Sequence, residues 1–243
     1  MRKELKDIIN KNFFNPNWYS ITINPYYIAR SGLFKKIRKF SLNEFSGKII
    51  LDVGCGNRPY KNLFKNYKKY IGIDIDGGGH SDVAKSADEY FDGERIPFNN
   101  ESFDVVICTQ VLEHAVNPEI LLDECYRVLR EDGKIFLTMP FIWNEHEVPY
   151  DFRRYTRYGH KKIFDQAGFK IEEIASTCGV FGVCGQLLSA FIFEQFNNRN
   201  ILLRLLISLF FCFPVQLLFV ALDFLFKNSW ITLDYIIIAK KKI

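Results

Sequence analysis

The six cysteines of this 243-residue chain, Cys55, Cys108, Cys125, Cys178, Cys184 and Cys212, form no Cys-x-x-Cys pair, and no histidine stands at ligand spacing from them. That excludes a recognisable zinc site, and no metal is expected. Scattered thiols beside apolar neighbours fit a reducing cytoplasm. The N-terminus, Met1 to Asp7, lacks an apolar run of signal-peptide length, so the chain is expected not to be exported. Charge of one sign is also in short supply: a net charge of +4 is too mild to argue for nucleic acid, and no nucleic-acid partner is expected. The length suits one α/β domain with an insertion better than two domains. Most conspicuously, no residue from Leu205 to Leu222 carries a formal charge.

What the chain has is a core, with 48% hydrophobic residues and 24 Phe, and a strand that ends in closely spaced glycines. Ile49 and Ile50 lead into Leu51-Asp52-Val53-Gly54-Cys55-Gly56-Asn57-Arg58-Pro59-Tyr60. Two glycines one residue apart let a strand turn sharply and present bare backbone to a ligand. Asp52 lies at the C-terminal end of this first strand, where open parallel sheets bind their ligands. A second strand, Tyr70 to Ile75, ends in Asp74 and Asp76. Asp74 falls about twenty residues after Gly54, where a carboxylate accepts hydrogen bonds from ribose hydroxyls. Gly77, Gly78 and Gly79 then read as a flexible loop without chemistry of its own. Gly-x-Gly by itself leaves a dinucleotide open as the ligand.

The next block separates the ligands. Asp92-Gly93-Glu94-Arg95-Ile96-Pro97-Phe98, then Phe103-Asp104-Val105-Val106-Ile107, then Thr109-Gln110-Val111-Leu112-Glu113-His114, together with Asp52-x-Gly54-x-Gly56, resemble the class I S-adenosylmethionine-dependent methyltransferases over residues 47–176 and again at the end of the chain. Arg58-Pro59 replace the third glycine common in that family's first motif. The resemblance implies an α/β, Rossmann-like, doubly wound seven-stranded sheet, mostly parallel with an antiparallel last strand. It implies S-adenosyl-L-methionine as cofactor, held by Asp52, Gly54, Gly56, Asp74, Asp92 and Gln110. Asp92 would lie near the adenine and Gln110 beside the methionine part. The segment His146-Glu147-Val148-Pro149-Tyr150-Asp151-Phe152-Arg153-Arg154-Tyr155 resembles a bacterial subgroup associated with cell-surface polysaccharide synthesis, which implies a glycan or lipid-linked sugar as methyl acceptor.

A long loop at the C-terminal edge of a sheet, dense in ionisable and aromatic residues, is where an acceptor is expected. His146 is the first candidate for the base that takes the acceptor's proton, oriented by Glu145 and Glu147, with His114 second. Arg153 and Arg154 suit a phosphate or carboxylate on the acceptor, or else fasten the loop. The expected segments are a cap over 1–46, with an aromatic patch and a basic helix capped by Asn24 and starting at Pro25, a methyltransferase core over 47–176, an apolar helical insertion over 177–229, and a final strand over 230–243. Both ends of the insertion belong to one sheet, so a single membrane crossing is excluded. An inner-leaflet contact, helices packed within the protein and a homodimer seam remain open. So do a small lipid-soluble acceptor such as a quinone, a non-catalytic assembly module and, more remotely, a nicotinamide oxidoreductase.

Overall fold

A computed structural model describes residues 13–42, 45–76, 86–196 and 198–242. The predicted glycine loop at 77–79 and the lysines ahead of the aromatic patch lie outside these residues. Seven strands, β1 (Ile49–Val53), β2 (Lys69–Ile75), β3 (Glu89–Phe91), β4 (Phe103–Thr109), β5 (Leu129–Pro140), β6 (Phe169–Ser176) and β7 (Asp234–Lys241), form one sheet in the order β3-β2-β1-β4-β5-β7-β6. The first five pair in parallel, and the sheet is the mostly parallel, Rossmann-like one expected. The central strands read as near-continuous apolar runs because helices cover both faces of such a sheet. Strand order reverses between β1 and β4, the switch point at which open parallel sheets leave a crevice.

The helices up to β6 are α1 (Tyr27–Ser41), α2 (Pro118–Val128) and α3 (Arg157–Gln166). The helix expected from Pro25 starts two residues later, because the Asn24 side chain caps the Tyr26 N–H at 2.9 Å and holds Pro25-Tyr26 in a turn. The turn-forming sequence Glu131-Asp132-Gly133 lies within β5. Its residues form an irregularity in the ladder, where Phe103 pairs with Leu129 but Val105 with Lys134.

The chain divides into two compact units. One comprises 39–175 and 235–243; the other joins 1–38 to 176–234. The N-terminal segment and the insertion, separate in the sequence reading, thus fold together. In that unit α4 (Val180–Glu194) crosses α5, a continuous apolar helix over Ile201–Leu225. A Cβ on Gly185 would lie 2.3 Å from Phe219 Cβ, so glycine is what lets these helices approach. Asp223, the one acidic residue of α5, accepts the Gly179 and Gly182 N–H groups at 3.0 Å each and caps the start of α4. Fully buried Gln186, Ser189 and Gln216 all donate to the N-terminal segment: Gln186 and Ser189 to the Pro25 carbonyl at 3.0 and 2.8 Å, and Gln216 to that of Asn24 at 3.0 Å. Pro214 does not break α5, because a π turn over Ser208–Cys212 widens the helix just before it.

In the sheet-bearing unit, Phe40, Phe45, Phe64 and Phe136 pack ring to ring, the Phe40–Phe136 centroids 4.6 Å apart. Arg127 on α2 pairs with Glu124 and donates to the carbonyls of Ile96 and Phe98 at 2.9 and 2.8 Å, anchoring the segment that enters β4.

His160 on α3 is fully buried between the rings of Tyr155 and Tyr235, and neither ring nitrogen has a hydrogen-bond partner. Burial pushes its pKa down to about 4 from 6.5. The fold therefore holds this ring neutral. As pH falls from 6.5 toward 4 the unfolded chain takes up the proton first, and stability is lost across that window, by about 3 kcal/mol in full. Chemical denaturation at pH 7.5 and pH 4.5 should show His160→Phe losing less stability than the parent by about that amount; equal losses would exclude the effect.

Candidate active site

The turn after β1 is built as the glycines require. Gly54 and Gly56 take φ of +66° and +50°, a region costly for residues with a Cβ. At Gly54 a Cβ would fall 2.3 Å from Val111, so that glycine also lets the chain beyond β4 pack in. At Gly56 a Cβ meets nothing within 4 Å, so its outer face is open for a ligand to approach bare backbone. Asp74, at the end of the adjacent strand, accepts the Gly56 N–H at 2.8 Å and that of Ile75 at 2.8 Å. A carboxylate has about four acceptor positions, so the group that fixes the turn is also chemically able to receive ribose hydroxyls. An adenosine-bearing cofactor fits these residues.

Asp92 follows β3 at the same edge, since Phe91 pairs with Ile75. Its Oδ1 accepts the N–H groups of Glu94 and Arg95 at 2.9 and 2.8 Å, which hold its carboxyl below the usual carboxylate range. Gln110 leaves β4 with φ +56° and donates its side-chain amide to Thr138 Oγ1 at 3.1 Å. Asp52 is buried within β1 and accepts the Tyr70 hydroxyl at 2.7 Å. Burial pushes it up to about 7, against the pull of that hydrogen bond and of Arg58.

Arg58 explains how the turn closes without a third glycine. It takes φ +54° and its side chain lies over Gly72, where a Cβ would sit 2.7 Å from its Nε. It pairs with Asp88 at 2.9 Å, and Asp88 in turn accepts the Gly72 N–H at 2.9 Å. A glycine inside a strand signals such a close approach, and that signal was available at Gly72.

Beyond β4 and β5 the structure brings His114 and His146 together, their rings edge to face with centroids 4.8 Å apart. His114 Nδ1 lies 2.8 Å from the Tyr150 carbonyl, and its Nε2 faces Glu147 and Glu113 at 3.6 and 3.8 Å. His146 is oriented by Asp151, not by Glu145 or Glu147 as expected. Asp151 Oδ2 lies 3.1 Å from its Nδ1 and accepts its backbone N–H at 3.0 Å. Burial, reinforced by the neighbouring His114, holds His146 below the ordinary histidine range. Glu145 is exposed, and Glu147, at φ +52°, turns toward His114.

Of the two readings for the arginines, the geometry favours fastening. Arg153 donates to the carbonyls of Ala115 and Val116 at 2.6 and 2.9 Å. Arg154 forms a two-pronged pair with Asp151, which it pulls down to about 2. Fully buried Glu113 is a site residue that the sequence reading did not single out, and Asp151, considered there only as a metal ligand unsupported by spacing, is the residue that orients His146. Strain marks the same edge, where Arg58, Gln110 and Glu147 all hold positive φ.

Comparison with known proteins agrees with this geometry. Residues 51–137 match the family described as methyltransferase domain. A tRNA U34 carboxymethyltransferase of Campylobacter lari is 30% identical over 151 residues, which cover 58% of this chain and 48% of that enzyme. The chain thus spans about half the length of that relative. An uncharacterized protein of Methanocaldococcus jannaschii is 30% identical over 179 residues, covering 70% of this chain and 76% of that protein. Among solved structures, a Haemonchus contortus phosphoethanolamine N-methyltransferase 2 in complex with S-adenosyl-L-methionine superposes with a TM-score of 0.55 at 18% identity, covering 96% of this chain and 59% of that one. At that identity the likeness shows the fold alone.

Replacing Asp74 by Ala removes the anchor of the Gly56 turn together with the candidate acceptor for ribose hydroxyls. Two hydrogen bonds to a charged acceptor are worth about 3 kcal/mol or more, so binding of S-adenosylhomocysteine by Asp74→Ala should weaken about 100-fold or beyond. Calorimetry on variant protein with unchanged circular dichroism checks this; undiminished binding would place the cofactor elsewhere, and binding of NAD in its stead would point to an oxidoreductase.

Proposed function

We propose that this chain, whose residues 51–137 match the methyltransferase domain family, is a class I S-adenosylmethionine-dependent methyltransferase that methylates a hydroxyl of a glycan, most simply a sugar carried on a lipid, at a membrane surface. The observation that carries the lipid part of the reading is α5. It runs 25 residues, and only 22% of its most apolar 18-residue stretch is buried. Leu202, Phe210, Phe211, Leu217, Leu218 and Phe224 are each more than half exposed. An apolar surface of this extent marks an interaction site. The basic residues of α1, among them Lys35, Arg38 and Lys39, suit an anionic leaflet. Since β6 and β7, which flank the insertion, belong to one sheet, α5 lies on the membrane or dips into one leaflet rather than crossing it.

The cofactor supplies a methyl group already activated on a sulfonium. The protein's work is then to orient it, to hold the acceptor in line and to exclude water. Gly54, Gly56 and Asp74 orient the adenosine end, Asp92 borders the adenine side, and Gln110, fixed by Thr138, borders the methionine side. A hydroxyl acceptor must also give up a proton. The cluster of His146, His114, Glu113 and Glu147 is the group of proton acceptors at this edge, with Asp151 behind His146 to steady a developing positive charge. The glycan part of the reading rests on the His146–Tyr155 segment and its resemblance to polysaccharide-associated methyltransferases.

Two measurements test the proposal. Protein incubated with methyl-labelled S-adenosylmethionine and membranes should place label in the organic phase, and mild acid should release that label into water. Label that stays organic would point to a quinone-like acceptor, and label that is aqueous from the start would remove the lipid from the proposal. In flotation with anionic vesicles, Phe210→Asp with Leu217→Asp should abolish membrane binding while leaving S-adenosylhomocysteine binding intact; a soluble homodimer dissociated by the same changes would assign the face to a second copy of the chain.

A further inference from the structure

We propose that Glu113, His114 and His146, with Glu147 at the rim, form a binding site for a divalent transition-metal ion at the end of β4. One ligand atom from each of the first three lies within 4.8 Å of the others. Ligands of a Zn²⁺-like ion sit about 2.0 to 2.2 Å from it, and so about 3 to 4 Å from one another. His114 Nε2 is already 3.8 Å from Glu113 Oε1 and 3.6 Å from Glu147 Oε1. The remaining closure is a side-chain adjustment of His146, which is partly exposed.

The tautomers are arranged for such a role. The Tyr150 carbonyl can only accept, so His114 Nδ1 carries its proton toward it and, in the neutral ring, leaves a lone pair on Nε2. That lone pair points among carboxylate oxygens, an arrangement a cation converts from repulsion to attraction. His146 repeats the pattern. Its Nδ1 lies against Asp151 Oδ2 at 3.1 Å and the Asn144 carbonyl at 3.3 Å, both acceptors, which leaves Nε2 as the ligand nitrogen. A carboxylate or carbonyl behind each imidazole is the usual outer support of metal-binding histidines. Arg154 and Arg153 lock those supports, the first by clamping Asp151 and the second by tying the loop to the chain after His114.

Mixed imidazole and carboxylate donors select borderline ions such as Zn²⁺, Co²⁺, Mn²⁺ or Fe²⁺. With an ion bound, these side chains would serve as its ligands rather than as proton acceptors. The ion would lower the pKa of the acceptor hydroxyl, whose proton would pass to solvent water while the oxygen takes the methyl group. That role rests on the methyltransferase reading; the site itself does not. Spacing along the chain conceals it, because its members come from two segments about thirty residues apart.

The test is a Co²⁺ titration of metal-stripped protein without cofactor or acceptor, followed by visible absorption. One equivalent should bind with a dissociation constant on the order of 1 μM or tighter, without thiolate-to-cobalt charge transfer, and Zn²⁺ should displace it. His146→Gln and Glu113→Gln should each weaken binding about 100-fold, with S-adenosylhomocysteine binding reporting that the variant is folded. Should Glu113→Gln fail that control, His146→Gln, on a partly exposed loop, decides. No saturable band, or a band that persists in the folded variants, overturns the proposal. Metal binding with no methyl transfer to any acceptor would keep the site and remove the proposed chemistry.

Discussion

The hydrogen bond from the Gly56 amide to Asp74 joins the ends of two parallel strands, and the arrangement of the ligand edge depends on it. Parallel pairing of β1 with β2 brings their carboxyl ends to the same side of the sheet, but it does not by itself determine how the chain leaves β1. Two glycines in the left-handed region turn the backbone back so that an N–H points at the acid of the next strand. Had either residue a Cβ, the turn would be strained, and at Gly54 it would collide with Val111. Once the turn is set, Arg58 falls over Gly72 and reaches Asp88, so that one ion pair closes the space a third glycine would otherwise leave open.

The second half of the edge is held by charge rather than by backbone turn. Asp151 lies between Arg154 and His146, and the arginine dominates, holding the carboxyl near 2 and therefore ionised throughout the physiological range. An ionised Asp151 fixes the orientation of the His146 ring, while burial disfavours its protonation. The imidazole is thus steered toward the form that has a lone pair to offer, whether to a proton or to a metal. Arg153 does the complementary work on the other segment by tying Phe152 and its neighbours to the carbonyls that follow His114. The two histidines meet because two arginines hold the loop in place, which is why arginines that look like acceptor ligands in sequence sit inside the loop.

Local pattern made the turn after β1 and its tie to the next strand legible. Asp52, Gly54, Gly56 and Asp74 declare themselves through strand ends and spacing, and Asp92 and Gln110 through the family resemblance. The acceptor side was only half legible. His146 stands out as one of four histidines in the chain, but adjacency suggested Glu145 and Glu147 as its partners. The loop turns instead between Glu147 and Tyr150, closed by a 2.9 Å hydrogen bond, and returns Asp151 to the ring. Neighbours in sequence point apart on an extended segment, whereas a tight turn brings back residues several positions on. Glu113 was concealed differently, since nothing in its local pattern distinguishes a buried acid that faces a histidine from a solvated one.

The union of the N-terminal segment with the insertion was not legible because its bonds span about 160 residues or more and use side chains that look unremarkable. Gln186, Ser189 and Gln216 are the polar interruptions of apolar helices, and each is placed inward against the carbonyls of Pro25 and Asn24. A buried amide without a partner costs several times what a paired one contributes, so these contacts fix which face of each helix turns in. Orientation of α4 and α5 by buried polar groups has a corollary on the other face. The apolar residues left outward, from Phe191 to Phe224, are there because the inward positions are already taken by residues that must be satisfied within the protein. The exposed apolar face is therefore a constructed surface, held rigid from behind by hydrogen bonds.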